Sequence, residues 1–165
     1  MIKLKIWSLI YFQDSETMKL MFVCTANTCR SVMAEYIFKG MVGKEIEICS
    51  AGIMATDGRS PSKNTVMACR NQGIDVTNHK ATNVKRSDIE DMDLVLTLET
   101  SHRDTLRKRY PDLKIYTIKE FNGVDYLYDI DDPFMYDLEV YEATFKEIQK
   151  SLEKIDMNKL LEYEK

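Results

Sequence analysis

Short apolar runs alternate along this chain with longer stretches whose apolar residues recur every three or four positions. The short runs read as strands at Lys19 to Cys24, Glu45 to Cys49, Asp93 to Leu98 and Leu113 to Ile118. The third, D-L-V-L-T-L, has the character of a central buried strand. The longer stretches read as amphipathic helices at about Ser31 to Val42, Pro61 to Gln72, Ser101 to Tyr110 and Leu138 to Leu161. Pro61 suits a first helical turn, Gly73 a helix end, and Pro111 stops the third helix. Strands that alternate with helices need crossover connections. The expected fold class is therefore α/β, a single three-layer domain with a four-stranded parallel sheet and helices on both faces.

No repeat or Gly/Pro-rich linker divides the chain, and 165 residues with 44% hydrophobic and 30% charged content suit one core. Lys and Arg number 23 against 27 Asp and Glu, a net charge of -4, which speaks against nucleic acid as a partner. The apolar run Ile6 to Phe12 is far short of the ~20 residues that span a bilayer, so no membrane association is expected. Met1 to Thr17 has basic and apolar parts but no small-residue cleavage site. Met18 then reads as the natural start, with residues 1–17 an N-terminal extension and 18–165 the domain. The four cysteines, Cys24, Cys29, Cys49 and Cys69, form no C-x-x-C half-site, and only His79 and His102 are available to complete one. Reduced thiols in a cytoplasmic protein without metal are expected.

Candidate chemistry lies directly after the first strand. Cys24-Thr25-Ala26-Asn27-Thr28-Cys29-Arg30-Ser31 is C-x5-R-S between a strand and a helix, a phosphate-binding loop in character. Loop N–H groups and a helix N-terminus favour an anion, and Arg30 adds a planar fork. The same positive potential favours a Cys24 thiolate, so a lowered thiol pKa is expected, with Ser31 donating to the sulfur. A buried cysteine followed by arginine through chance spacing is the competing reading. A second element weighs against it: Asp129-Ile130-Asp131-Asp132-Pro133-Phe134 follows the fourth strand, and loops after parallel strands gather at one sheet edge. Asp132 there can protonate a leaving group and later take a proton from water.

V-C-T-A-N-T-C-R-S together with D-P strongly resembles the low-molecular-weight protein tyrosine phosphatase family over nearly everything after Met18. Ser50-Ala51-Gly52, Gly73-Ile74-Asp75, His79-Lys80-Ala81 and Asp93-Leu94-Val95-Leu96-Thr97 add to the resemblance. It implies a phosphocysteine mechanism without cofactor. Cys24 is then the nucleophile, Arg30 the phosphate clamp and Asp132 the general acid and base, while Asn27, Ser31 and Ser50 support the loop. Residues 25 to 31 (Thr25, Ala26, Asn27, Thr28, Cys29, Arg30, Ser31) would cradle the phosphate. It also favours Cys29 as a resolving thiol for oxidised Cys24. The implied partners are phosphorylated proteins, met by a monomer.

Two positions depart from the family pattern, Ala26 in place of glycine and Val32 in place of proline. A left-handed backbone at Ala26 would cost about 1 to 2 kcal/mol. Thr28 resembles the bacterial protein-arginine phosphatase branch, where tyrosine-specific relatives carry bulkier isoleucine, and Phe134 is followed by Met135 rather than a second aromatic. Phosphoarginine is therefore the expected substrate, with Phe134 stacking on its plane and phosphotyrosine as the alternative. Cys49 and Cys69 read as small packing residues, His79 and His102 as surface residues with His79 able to bond near the pocket, and Tyr126, Tyr128, Tyr136 and Tyr141 as cover for apolar surface.

Readings from other classes fit less well. An arsenate reductase of this fold needs relay cysteines after the third strand, and no cysteine follows Cys69. A phosphocysteine phosphocarrier has no need of Arg30 with Asp132-Pro133, and a silent phosphate-binding module has no need of the full set.

Overall fold

The computed structural model describes residues 17–164. Apart from Thr17, the N-terminal extension lies outside the described residues. Strand β1 (Met18–Cys24) leads into helix α1 (Arg30–Met41), and β2 (Ile46–Gly52) into α2 (Lys63–Asn71). Two 3-10 turns, Val84–Arg86 and Ile89–Asp91, precede β3 (Leu94–Thr97) and α3 (Thr100–Arg109). Strand β4 (Ile115–Thr117) runs directly into the short α4 (Ile118–Phe121), and α5 (Leu138–Glu153) and α6 (Met157–Leu161) close the chain. The four strands are all parallel in the order β2-β1-β3-β4, which puts β1 in the middle.

Strand periodicity divides the core into two layers. Met18, Leu20, Phe22 and Cys24 of β1 face a layer built with Val32, Met33 and Phe38 of α1, Cys69 of α2, and Tyr141, Phe145 and Ile148 of α5. Met21 and Val23 face the other side, against Val84, Ile89 and Leu106. Cys24 therefore shares a face with the helices α1 and α5. Its strand position decides that as much as its neighbours do, since a one-residue slip would turn its sulfur to the other layer.

Several boundaries differ from the sequence reading for identifiable reasons. Helix α2 starts after Pro61 rather than on it, because the Ser62 hydroxyl accepts from the Thr65 N–H at 3.2 Å and takes the N-cap position. At its other end Gly73 adopts φ 77° and lets the chain turn back. The long closing helix breaks after Glu153. Buried Ile155 turns into the core, and the Asp156 carboxylate starts α6 by accepting from the N–H groups of Asn158 and Lys159. Strand β4 is cut short by a reciprocal capping box: Thr117 Oγ1 accepts from the Glu120 N–H at 3.0 Å, and Glu120 Oε2 accepts from the Thr117 N–H at 3.1 Å. Among the described residues, no helix is long and apolar enough to cross a membrane.

Candidate active site

The loop from Cys24 to Arg30 occupies the carboxyl end of the central strand. Cys29 is the N-cap of α1 and its side chain caps nothing, and no acidic residue lies in the first turn, so the N-terminal N–H groups of the helix stay available to an anion. Asn27 is the residue that takes the left-handed backbone, at φ 56°. Ala26 does not, so the strain expected at Ala26 is absent. Asparagine bears this conformation more readily than most residues with a Cβ.

Asn27 also ties the loop together. Its Nδ2 donates to Ser31 Oγ at 2.8 Å and to Ser50 Oγ at 2.9 Å, and its Oδ1 accepts from the Thr82 N–H at 2.9 Å. Ser50 in turn donates to the buried Glu35 carboxylate. Since Ser31 Oγ already accepts from Asn27, its own proton is free for Cys24 Sγ, 2.9 Å away. Donation thus runs outward from the Asn27 amide, through Ser50 to the Glu35 carboxylate and through Ser31 to the sulfur. His79 Nε2 donates to the Asn27 carbonyl at 3.2 Å, and its Nδ1 lies 3.6 Å from Glu35.

Gly52, beside Cys24 in the sheet register, makes this closure possible. A Cβ there would sit 2.7 Å from the Thr25 carbonyl oxygen and 2.8 Å from the Asn27 nitrogen. Beyond it the Ile53 and Met54 N–H groups donate to the carbonyls of Cys24 and Thr25.

Arg30 is 1% exposed. Its Nη1 donates to Glu99 Oε1 at 2.6 Å and to the Ile130 carbonyl at 2.7 Å, and its Nη2 lies 3.3 Å from Asp132 Oδ2. The fork is held by groups from two other strand-end loops, so it is pre-oriented rather than swinging in solvent. Ile130 is fixed by donating its N–H to the Leu98 carbonyl at the end of β3, which brings Asp132 to the guanidinium. Asp132 Oδ1 accepts from the Phe134 N–H at 3.1 Å. Asp129 is used elsewhere, accepting from the Thr100 N–H where α3 begins.

A cavity of about 210 Å3 opens over the loop, lined by Cys24, Thr25, Ala26, Thr28, Cys29 and Arg30 below and by Arg59, Ser60, Ser62, Asp132 and Phe134 around it. Thr28 is 8% exposed on this wall, and Phe134 is 59% exposed at the rim. Among the described residues no cluster of His, Cys, Asp and Glu is arranged to hold a metal ion.

The electrostatics correct one expectation. Burial pushes the Cys24 thiol up, outweighing the Ser31 hydroxyl, the Arg30 charge and the N–H groups of Ser31 and Asn27, which pull it down. The anion-stabilising groups are in place, but complete desolvation is the larger influence on the protein alone. Burial also raises the Glu99 carboxyl, yet the Arg30 bond and charge, with His102 and Ser101, hold it below its usual range. Cys49 and Cys69 are pushed up to about 12 by burial, as suits packing residues.

The histidines are not at the surface. His79 and His102 are 7% and 6% exposed, because both are drawn into the loop's support, His102 through a 2.9 Å bond from Nε2 to Thr25 Oγ1. The tyrosines divide: Tyr141 is buried and reaches Cys29 Sγ at 3.6 Å, whereas Tyr126 and Tyr136 project into solvent at 70% and 63% exposure. They do not form one cover over apolar surface.

A cysteine and an arginine held this way, under a carboxylate from a distant loop, can bind a phosphoryl group and break its bond. The family model for low molecular weight phosphotyrosine protein phosphatase matches residues 19–164. The chain belongs to that family. Among relatives, a protein-arginine-phosphatase of Geobacillus stearothermophilus is 33% identical over 140 residues, 83% of this chain and 93% of that protein. The solved YwlE arginine phosphatase from Geobacillus stearothermophilus superposes with a TM-score of 0.78 at 33% identity, covering 83% of this chain and 89% of that one. A low molecular weight protein tyrosine phosphatase from T. tengcongensis gives 0.76 at 40% identity, covering 83% and 96%.

In this phosphatase family member, Cys24, Asn27, Arg30, Ser31, Ser50 and Asp132 lie together in one hydrogen-bonded site. Sequence reasoning missed Glu35, Thr82, Glu99 and Arg59, and passed over Gly52 as part of a motif. A buried arginine must be paired, so a carboxylate partner was implied, but nothing local pointed to Glu99.

Proposed function

We propose that the chain is a cysteine-dependent protein phosphatase that hydrolyses phosphoarginine through a phosphocysteine intermediate. The observation that carries the phosphatase reading is the Arg30 guanidinium, buried and held between Glu99 and Asp132 beside the cavity that Cys24 lines. Cys24 attacks as thiolate, and the S–P bond forms as the P–N bond breaks. Arg30 and the loop N–H groups follow the charge on the phosphoryl oxygens. Asp132 gives its proton to the leaving nitrogen. It then takes a proton from water, which attacks the phosphocysteine, releases inorganic phosphate and restores the thiolate.

Support for phosphoarginine comes from the wall. A guanidinium leaving group brings several N–H donors, and the cavity offers acceptors in Asp132 and the hydroxyls of Thr28, Ser60 and Ser62. Phe134 at the rim offers a face for its plane. A second reading, phosphotyrosine, is favoured by Arg59 on the same wall, whose charge suits an aromatic ring better than a guanidinium. Relatives named for arginine and relatives named for tyrosine leave both readings within the family.

Cys29 is assigned as the resolving thiol. Peroxide oxidises Cys24 to a sulfenic acid, and attack by Cys29 forms the disulfide and expels water. Both are free thiols lining one cavity. Free thiols in all four positions suit a cytoplasmic setting.

Comparison of kcat/KM on phosphoarginine and phosphotyrosine peptides tests the substrate class. A higher value for phosphoarginine is expected, and a higher value for phosphotyrosine overturns that choice. Cys24→Ser must abolish turnover while still binding phosphate. Retained turnover removes the phosphocysteine mechanism.

A further inference from the structure

Arg30 and Arg59 both line the cavity, but in opposite circumstances. Arg30 is buried and paired with Glu99 and Asp132, whereas the exposed Arg59 guanidinium has no hydrogen-bond or ion-pair partner among the described residues. Its backbone is nevertheless fixed. The Arg59 N–H donates to the Thr56 carbonyl at 3.2 Å, and its own carbonyl accepts from the Ala81 N–H at 2.8 Å, so the side chain springs from an anchored point at the cavity mouth. Nearby cations strengthen the same sign: Lys80 Nζ donates to Ser60 Oγ at 3.0 Å, and Lys63 follows the lining residue Ser62. The acid loop supplies the other sign through exposed Asp131 and Asp132. The mouth is therefore built from one basic and one acidic loop on a protein whose net charge is -4.

We propose that Arg59 is a specificity-determining residue that pairs with an acidic side chain flanking the phosphorylated residue of the substrate. The proposal rests on the phosphatase reading but not on the choice between phosphoarginine and phosphotyrosine. A phosphoryl group seated at Cys24 leaves the neighbouring residues of a peptide at the rim, and Arg59 is the lining cation with its donors unused. A carboxylate there gains a planar, two-pronged partner. A cationic flanking residue meets repulsion instead, so one side chain provides both attraction and exclusion.

The test uses phosphopeptides that differ only in carrying Glu, Ala or Lys next to the phosphorylated residue, on either side. Wild type, Arg59→Ala and Arg59→Glu are compared by the ratio of kcat/KM between flanks, so a general loss of activity cancels. Wild type is expected to favour Glu over Lys by about fivefold on one side, the scale of an exposed ion pair, and less at high salt. Arg59→Ala should level the ratio and Arg59→Glu invert it. An unchanged ratio in Arg59→Glu overturns the proposal, as does a wild type without flank preference. Binding of the same peptides to Cys24→Ser, read by fluorescence anisotropy, repeats the comparison without turnover. If no phosphopeptide binds or reacts, the phosphatase reading falls too; if all bind alike, only the role of Arg59 falls.

Discussion

The floor of the cavity and its mouth are built on different principles. On the floor, Asn27, Arg30, Ser31 and Ser50 are each 8% exposed or less, and each bonds to another buried or partly buried group. At the mouth, Asp132 has 39% of its side chain exposed and Phe134 is 59% exposed. The difference separates two tasks. Stabilising charge that develops on a phosphoryl group requires dipoles set in advance and shielded from water, so that nothing reorganises during reaction. Choosing a substrate requires groups that remain solvated until the right partner displaces the water. The proton delivery proposed for Asp132 falls between the two, since one of its oxygens faces Arg30 and the other accepts from the Phe134 N–H.

The sharpest way to break this division is at the boundary residue. Asp132→Asn should slow turnover by ~10²–10⁴, the range of a general acid and base, with a smaller effect on esters whose leaving groups need no proton. Steady-state rates over a leaving-group series check this. Equal losses across the series would remove Asp132 from proton transfer, and a larger loss in Asp131→Asn would place the acid one residue earlier.

Gly52→Ala probes the floor without removing a polar side chain. The new Cβ collides with backbone at Thr25 and Asn27, which has no flexible end to move aside. A displacement near 1 Å can cost ~10²-fold in rate. The fall should be seen in kcat on a small aryl phosphate, while the thermal unfolding transition remains cooperative. A variant with wild-type kcat would show that the floor tolerates movement.

Thr28→Ile probes the wall between floor and mouth. Losing the hydroxyl leaves guanidinium N–H groups against hydrocarbon, at about 1 to 3 kcal/mol for each unmade bond. The ratio of kcat/KM for phosphoarginine over phosphotyrosine should therefore fall by roughly ten- to a hundredfold. An unchanged ratio would move selectivity out to the rim.

Ser31→Ala has the smallest expected effect on rate and a defined sign in pH. The Ser31 hydroxyl pulls the Cys24 pKa down, so its removal must raise it. The thiolate loses a hydrogen bond that favoured it, so the Cys24 titration should move to higher pH in the variant. Thiolate absorbance, taken as the difference from Cys24→Ser, reads it directly. A titration that stays in place or moves down would contradict the hydrogen-bond direction running from Asn27 through Ser31 to the sulfur.

The sequence by itself determined the parallel α/β architecture, because apolar runs separated by amphipathic helices admit few other arrangements. It also determined the members of the strand-to-helix loop, since seven consecutive residues carry their own local geometry. Asp132 was legible because loops after parallel strands converge. Its neighbour Asp129 shows the limit: the same residue type three positions away caps α3 instead. Other features belonged to the tertiary structure alone. The left-handed residue is Asn27 rather than Ala26, because Thr82, Ser31 and Ser50 hold its amide from three directions. Glu35 and Glu99 became site residues only when folding carried them beside Ser50 and Arg30. Burial of Cys24 and of both histidines depended on helices packed from far along the chain. Short-range spacing fixes which groups share a turn, but desolvation and the pairing of buried charges depend on everything packed around them, so they are decided only once the chain has closed on itself.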